Sequence, residues 1–305
     1  MQISKFAPIA IFAYRRDQHL GRVLDALAAC PEFAQSPVYV FSDGPKDGEP
    51  VHVDRVRAML RARRTPNMTI VEVSENRGLA ASITAGTSQL CAEFGRAIVI
   101  EDDLLVSPAT LTWFNAALDK YADDDGVWQV SAHQFEVPEF SARREALFLH
   151  LTTSWGWATW KRAWDRYDPL ANGWLRLQTD RALRRQFDLG DSYPFSNMLI
   201  DQMNGRIDSW AIRWRWSVFC AQGISLFPPR SLAKNIGFDA TATHTRYRLL
   251  KKLLVRNDTD PYVNLEACPQ LPAVACADRA DDEALARALR DSRRLTRRLA
   301  GVLRR

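Results

Sequence analysis

The sequence predicts an α/β fold centred on a mostly parallel sheet flanked by helices. Three observations predict it. Strand and helix signals alternate over the first 105 residues, the fourth strand is a continuous apolar run, and that run ends in Glu101, Asp102 and Asp103. Alternation of this kind builds a parallel sheet with helical crossovers, and an uninterrupted apolar run marks a strand covered on both faces.

Pro8 to Tyr14 reads as the first strand, with its proline at the start, where a missing N–H is tolerated. Leu20, Val23, Leu24 and Leu27 follow at helical spacing. Val38 to Phe41 is the second strand, stopped by the turn signal Ser42-Asp43-Gly44-Pro45. Val53, Val56, Met59 and Leu60 mark a second helix, Met68 to Val73 a third strand, and Leu79 to Phe94 a third helix. The fourth strand begins at Arg96 and runs into the acids.

The second half breaks this rhythm. Gly126 to Val130 and Ala146 to Leu151 read as further strands, and residues 154–216 are dense in tryptophan and arginine with several short helices. No repeat or low-complexity linker divides residues 1–265. The expected organisation is one domain over 1–277, with a nucleotide-binding-like half (1–105) and an acceptor-side half (106–277). A basic helix over 278–305 follows. Leu285, Leu289, Leu295, Leu299, Val302 and Leu303 form its apolar stripe and arginines fill much of the rest. Such a helix can lie on an anionic membrane surface, or pack on the domain or another subunit.

Composition bounds the class. A 305-residue chain that is 47% hydrophobic and 25% charged is an ordinary globular protein, with no apolar run long enough to span a membrane. The start of the chain has no separate apolar segment and cleavage site, so no signal peptide is expected. Five scattered cysteines without a CxxC pair argue against a zinc knuckle or a disulfide framework, and fit a reducing, cytoplasmic compartment. The net charge is +5, and the cluster Arg55, Arg57, Arg61, Arg63 and Arg64 reads as a solvated helix face rather than a nucleic-acid surface.

Parallel strands share a direction, so their C-terminal ends gather candidate ligand groups on one edge, where open α/β sheets bind ligands. Glu101, Asp102 and Asp103 lie there, as an acidic turn or as a site for a divalent cation that relieves their repulsion. Arg15, Arg16 and Asp43 join them, with chemistry suited to a diphosphate and to ribose or base. Asn76, Arg77 and Gly78 follow the third strand, as a cap and turn or as donor contacts. The edge has neither the GxGxxG of dinucleotide enzymes nor the GxxxxGK[ST] of P-loop proteins.

Later segments add further candidates. In Ser154-Trp155-Gly156-Trp157-Ala158-Thr159-Trp160, Trp155 or Trp157 serves as a platform for a sugar or as core, while Trp160 and Trp164, four apart, suit helix packing. Asp208, before an aromatic helix, is an N-cap or a general base, with Asp201 as its competitor. Lys234, Asn235 and Gly237 suit a loop closing over phosphates, and His244 is a metal or phosphate ligand or a structural residue.

Taken in order, Ile98-Val-Ile-Glu-Asp-Asp-Leu104, Trp155-Gly156-Trp157 and Asp208-Ser-Trp210 resemble motifs of the GT-A glycosyltransferases. The likeness is to the N-acetylglucosaminyltransferase I-like group and its bacterial sugar-transferase relatives. It implies a GT-A fold, a nucleotide-diphosphate sugar donor (UDP-sugar first among them), Mn²⁺ or Mg²⁺, and transfer with inversion to a hydroxyl of a glycan, a lipid-linked sugar or another acceptor. Hexosyl or N-acetylhexosaminyl transfer in cell-surface polysaccharide synthesis is the implied setting. Residue by residue, it implies Asp103 as metal ligand, with Glu101 and Asp102 meeting ribose and donor sugar. Arg15 or Arg16, together with Asp43, would meet the nucleotide, Arg77 the donor side, and Asp208 would be the base. One departure stands out: the family's Asp-Asp-Trp is Asp-Ser-Trp here. A nucleotidyltransferase ranks lower, because Tyr14-Arg15-Arg16-Asp17-Gln18 lacks the glycines of a phosphate loop. A non-catalytic carbohydrate- or membrane-surface module ranks third.

Overall fold

The computed structural model describes residues 5–46, 50–237 and 267–302, with side chains to 294. The predicted alternation is present as β1 (Ile9–Ala13), α1 (Asp17–Ala28), β2 (Val38–Ser42), α2 (Pro50–Ala62), β3 (Met68–Glu72), α3 (Leu79–Phe94) and β4 (Arg96–Glu101). β4 stops at the acids, and Leu104–Val106 forms a separate short strand, β5. Then come α4 (Thr110–Lys120), β6 (Val127–Ser131), α5 (Pro138–Ser141), β7 (Leu147–Leu149), β8 (Trp157–Trp160) and α6 (Lys161–Trp164). Helices α7 (Arg176–Thr179), α8 (Arg181–Phe187), α9 (Phe195–Met203) and α10 (Trp210–Cys220) precede β9 (Ile224–Phe227) and β10 (Ala233–Asn235). The last helix is Arg279–Val302.

The main sheet has eight strands in the order β3-β2-β1-β4-β8-β6-β9-β7. Strands β1 to β4 are mutually parallel, β8 is antiparallel to both β4 and β6, and β6 runs parallel to β9. The C-terminal ends of β4, β6 and β9 therefore share the edge of β1 and β2. Strand alternation feeds two cores. Ile9, Ile11, Ile98 and Ile100 pack with Leu20, Val23, Val56 and Leu111 on one face. Ala10, Phe12, Ala97 and Val99 pack with Ile83, Leu90, Trp210 and Trp214 on the other.

Two expectations change. Residues 157–160 form a strand inserted between β4 and β6. Trp160 and Trp164 consequently belong to opposite cores rather than to one helix face. The arginine cluster is the solvated face expected, with Arg55, Arg61, Arg63 and Arg64 exposed, and it also makes local contacts: Arg61 pairs with Glu72 at 2.8 Å, Arg63 pairs with Asp25, and the half-buried Arg57 donates to the Val73 carbonyl at 2.6 Å.

The last helix packs on the domain over its described side chains. Ala284, Leu285 and Leu289 join Leu147, Leu149, Phe140 and Phe227 in a third apolar cluster. Arg143 forms a two-pronged ion pair with Asp281, at 2.8 and 2.5 Å. Among the described residues no helix is long and apolar enough to cross a membrane.

Asp282 fastens this helix to β7: it accepts from the His150 N–H at 3.0 Å and stands 2.6 Å from His150 Nδ1. The Asp282 hydrogen bond holds the His150 pKa above its ordinary value, against desolvation and the nearby Arg215 charge. A histidine with a raised folded pKa adds stability that is complete below its unfolded pKa and lost as pH rises through the folded one. Amide exchange in the last helix is therefore expected to accelerate, beyond its intrinsic pH dependence, as pH climbs from 6 to 8. Asp282→Asn should remove that extra dependence; equal extra dependence in both proteins would contradict the assignment.

Candidate active site

The site lies at the C-terminal edge of the parallel strands. Glu101 is the last residue of β4 and sits in register with Phe12. Asp102 and Asp103 form the turn before β5. Asp102 Oδ2 accepts from the Tyr14 N–H at 3.3 Å, and Asp103 Oδ2 pairs with Arg16 Nη1 at 2.8 Å. The Arg16 and Asp103 side chains are only 11% and 17% exposed, so this ion pair lies in a sheltered cleft, not on an open surface.

β10 closes over the acids. It pairs antiparallel with β5, placing Asn235 opposite Leu104 and Lys234 opposite Leu105, and the Ile236 N–H donates to the Asp103 carbonyl at 2.9 Å. Gly237 then passes against the ion pair. A Cβ there would overlap the Asp103 carboxylate and lie 2.6 Å from Arg16 Nη1, so only glycine allows this approach. Lys234 and Asn235 thus lie on the strand beside the acid turn, while His244 lies outside the described residues.

Asp43 lies at the expected edge and organises it. Its Oδ1 accepts from the Gly44 and Arg77 N–H groups, both at 2.9 Å, and its Oδ2 accepts from Asn76 Nδ2 and the Gly78 N–H, both at 3.0 Å. Four donors fill the acceptor capacity of a carboxylate. Asp43 therefore holds the 76–78 loop. Gly44 allows the same packing, because a Cβ there would overlap the Glu75 backbone. Arg77 is left exposed at the edge.

Trp157 is also relocated. It is fully buried in β8, stacked on Trp210 at 5.0 Å and tilted against Trp164 and Trp214 at 5.6 and 6.1 Å. Its place is the core, and the partly exposed Trp155 faces the cleft instead. Asp208 is exposed, and its Oδ2 would lie 3.7 Å from a Cβ at Gly78, which puts it in contact with the donor-side loop. Ser209, not Asp208, caps α10 by accepting from the Ile212 N–H at 3.4 Å. That leaves the Asp208 carboxylate exposed beside this loop, with Arg213 3.8 Å away. Asp201 instead pairs with Arg206 at 2.9 Å on α9.

Burial and crowding dominate the electrostatics of the triplet. Burial first, then mutual repulsion, pushes Glu101 up to about 8; Asp102 is pushed up to about 7 by burial and by Asp103. Burial raises Asp103 as well, opposed by Arg16 and, more weakly, by His19. Among the described residues no three His, Cys, Asp or Glu groups converge tightly enough to cage a metal ion. Hard oxygen donors of this kind suit Mg²⁺ or Mn²⁺ held by one or two carboxylates, with ligand phosphates completing the shell. The residues fit a metal that is shared with a phosphate ligand.

A carboxylate whose folded pKa is raised binds more protons folded than unfolded, so stability falls as pH rises through that interval. In metal-free buffer, Glu101→Gln is therefore expected to gain thermal stability relative to wild type as pH rises from 4.5 to about 8, the interval in which the unfolded chain has released the Glu101 proton and the folded protein still holds it. Added Mn²⁺ should narrow that gap at pH 9. A gap that does not change with pH would contradict the crowding of these acids.

Two further residues stand at the site, one of them legible from the sequence. His133 leaves β6 at the same edge as the acids, and its ring packs 4.6 Å from Trp155. Arg215 lies on the inner side of α10, buried beside the cleft. Assigning β6 a direction would have found the first; the second needed the helix packing.

The fold is an open α/β sheet whose C-terminal strand edge carries a buried acid cluster. A family model described as glycosyltransferase-like family 2 matches residues 7–189, and the chain belongs to that family. Similar solved structures include the mannosyltransferase PcManGT from Pyrobaculum calidifontis in complex with GDP-Man and Mn²⁺. The identity is 15%, over 70% of this chain and 74% of that one, with a TM-score of 0.39. The galactosyltransferase LgtC, in complex with donor and acceptor sugar analogues, is 12% identical over 93% and 94% of the two chains, with a TM-score of 0.39. TarS 1–349 of S. aureus is 13% identical over 76% of this chain and 60% of that one, with a TM-score of 0.43.

Proposed function

We propose that this glycosyltransferase moves a sugar from a nucleotide-diphosphate donor, UDP-sugar first, to an acceptor hydroxyl, with a divalent metal and inversion at the anomeric carbon. The observation that carries the reading is the buried, crowded acid triplet, sealed by Gly237, with the exposed Asp208 against the Gly78 loop of the same edge. Asp103 would hold Mn²⁺ or Mg²⁺, with Glu101 and Asp102 toward ribose and donor sugar. When bound, the metal supplies a positive charge that stabilises the diphosphate as it leaves.

The chain's own residues do the rest. Arg15 and Arg16 offer guanidinium forks suited to phosphate oxygens, and Lys234 a mobile point charge. Arg77 and Asn76, held by Asp43, border the donor side. Asp208 takes the proton of the acceptor hydroxyl as its oxygen bonds to the anomeric carbon. The bond from that carbon to the diphosphate oxygen breaks on the opposite face, and its electron pair stays with the diphosphate.

The acid run Ile98 to Leu104 supports the finer kinship with the N-acetylglucosaminyltransferase I-like group, and with it hexosyl or N-acetylhexosaminyl transfer in polysaccharide synthesis. All five cysteines are free thiols, which supports a reducing, cytoplasmic setting. Over the described part of the last helix Leu285 and Leu289 are packed inside, so the groups it offers to an anionic membrane are exposed arginines such as Arg287 and Arg294.

A donor panel tests the reading. A ligand that binds only the folded state raises its melting temperature. One nucleotide-diphosphate sugar is expected to stabilise the protein in the presence of Mn²⁺ and much less with EDTA. No stabilisation by any UDP-, GDP- or dTDP-sugar with Mn²⁺ would reject it.

A further inference from the structure

Beside Asp208 the sheet edge opens into a second cavity, about 210 Å³, between the β6 and β8 ends and helices α9 and α10. His133, Trp155, Phe195, Met198 and Ile212 make its walls mostly apolar, and Ser209, next to Asp208, stands at its lip. Its single strong cation is Arg215.

Arg215 is 4% exposed. Its Nη2 donates to the Phe187 carbonyl at 2.6 Å and its Nη1 to the His150 carbonyl at 3.3 Å, and its plane lies over the Phe195 ring at 4.0 Å. Its Nε is buried without a partner. The two carboxylates whose fields reach it are engaged elsewhere. Asp188 accepts from the Ser196 N–H and Oγ, both at 2.7 Å, and Asp282 takes His150. Among the described residues no carboxylate forms an ion pair with Arg215. A buried charge held only by carbonyls and a ring face is normally balanced by something of opposite sign. Burial has already pushed Arg215 down to about 9.

We infer that this cavity is the acceptor subsite, and that it selects a glycoside with a flat apolar face and an anionic substituent, carboxylate or phosphate, drawn toward Arg215. The inference rests on the transfer reading above, because it takes Asp208 as the group that meets the acceptor hydroxyl. The indole of Trp155 and the imidazole of His133 offer the surface on which the C–H face of a sugar ring packs. An apolar wall strengthens the attraction between Arg215 and an anion beside it. The selectivity is therefore electrostatic, with the rings supplying contact area for neutral and anionic acceptors alike.

The test is binding, which does not depend on turnover. The protein loaded with nucleoside diphosphate and Mn²⁺ is titrated calorimetrically with phenyl glucuronide, phenyl glucoside 6-phosphate and phenyl glucoside. At least one anionic glycoside is expected to bind on the order of 10-fold or more tightly than the neutral one, and the carboxylate and phosphate arms show which anion is preferred. Arg215→Gln should erase that difference, whereas Trp155→Ala should weaken all three ligands. Equal or tighter binding of the neutral glycoside to wild type overturns the inference, whether or not the variants fold. If the nucleoside diphosphate itself fails to bind with Mn²⁺, the transfer reading fails first and this inference with it.

Discussion

Asp103→Ala is expected to lower metal-dependent turnover about 10³-fold, the loss of about 4 kcal/mol of transition-state stabilisation. The reason is geometric. Asp103 is the acid sealed under Gly237, paired at 2.8 Å with Arg16, and it stands in the turn between β4 and β5 where the strand edge meets the cleft. Its removal would take away one of the three acids while leaving Arg16 beside Glu101 and Asp102. The same change relieves crowding among raised carboxylates, so the metal-free protein should melt no lower than wild type. Steady-state assays over a Mn²⁺ range, with melting curves for both proteins, measure the two effects separately. Full metal-dependent turnover by Asp103→Ala would remove this residue from the site.

Asp208→Asn is expected to cost about 10²–10⁴-fold in transfer, the usual contribution of a positioned base. Donor binding should be nearly unchanged, because the donor-side loop is held by Asp43 and not by Asp208. The fold should tolerate the change, since the side chain is exposed and Ser209 supplies the helix cap. Asp201→Asn is the control. Its carboxylate is held by Arg206 on α9, and its replacement should leave transfer within about twofold of wild type, as for ordinary surface changes. If Asp201→Asn carries the large loss and Asp208→Asn does not, the base is Asp201.

The first half of the fold was legible because local and global signals agree there. Leu20, Val23, Leu24 and Leu27, spaced for one helix face, are the buried residues of α1, and Leu79 to Phe94 is the helix observed. β1, β2 and β4 each carry apolar residues for both cores, so their pattern needs no knowledge of partners. The second half was less legible because its pairings are non-local. β8 runs antiparallel between β4 and β6, and four consecutive buried residues with two tryptophans carry no signal separating strand from loop. The alternative roles of Trp157 were decided by that insertion, not by any feature of the tryptophan itself.

The site divides in the same way. Residue type and strand direction placed Glu101, Asp102, Asp103, Arg16 and the 76–78 loop on one edge. What they did not reveal was hydrogen-bond capacity. Asp43 is filled by four local donors, and that follows from how the Asn76 loop folds back on Gly44, where Asn76 Nδ2 also donates to the Gly44 carbonyl at 2.9 Å. Asp208 showed the opposite case: the serine that broke the family's Asp-Asp-Trp pattern takes over the cap, leaving the aspartate exposed beside the Gly78 loop. For the last helix, an amphipathic pattern fits a membrane and a protein core equally well. Leu285 and Leu289 packing with Leu147 and Phe227 favours the core.

Product analysis with purified protein, a nucleotide-diphosphate sugar, an acceptor glycoside and Mn²⁺ tests the central claim most directly. The account predicts one nucleoside diphosphate released for each new glycosidic bond, dependence on the metal, and loss of both products in Asp103→Ala. Glycoside formation unaffected by EDTA, or pyrophosphate released in place of nucleoside diphosphate when a sugar phosphate and a nucleoside triphosphate are supplied, would contradict it.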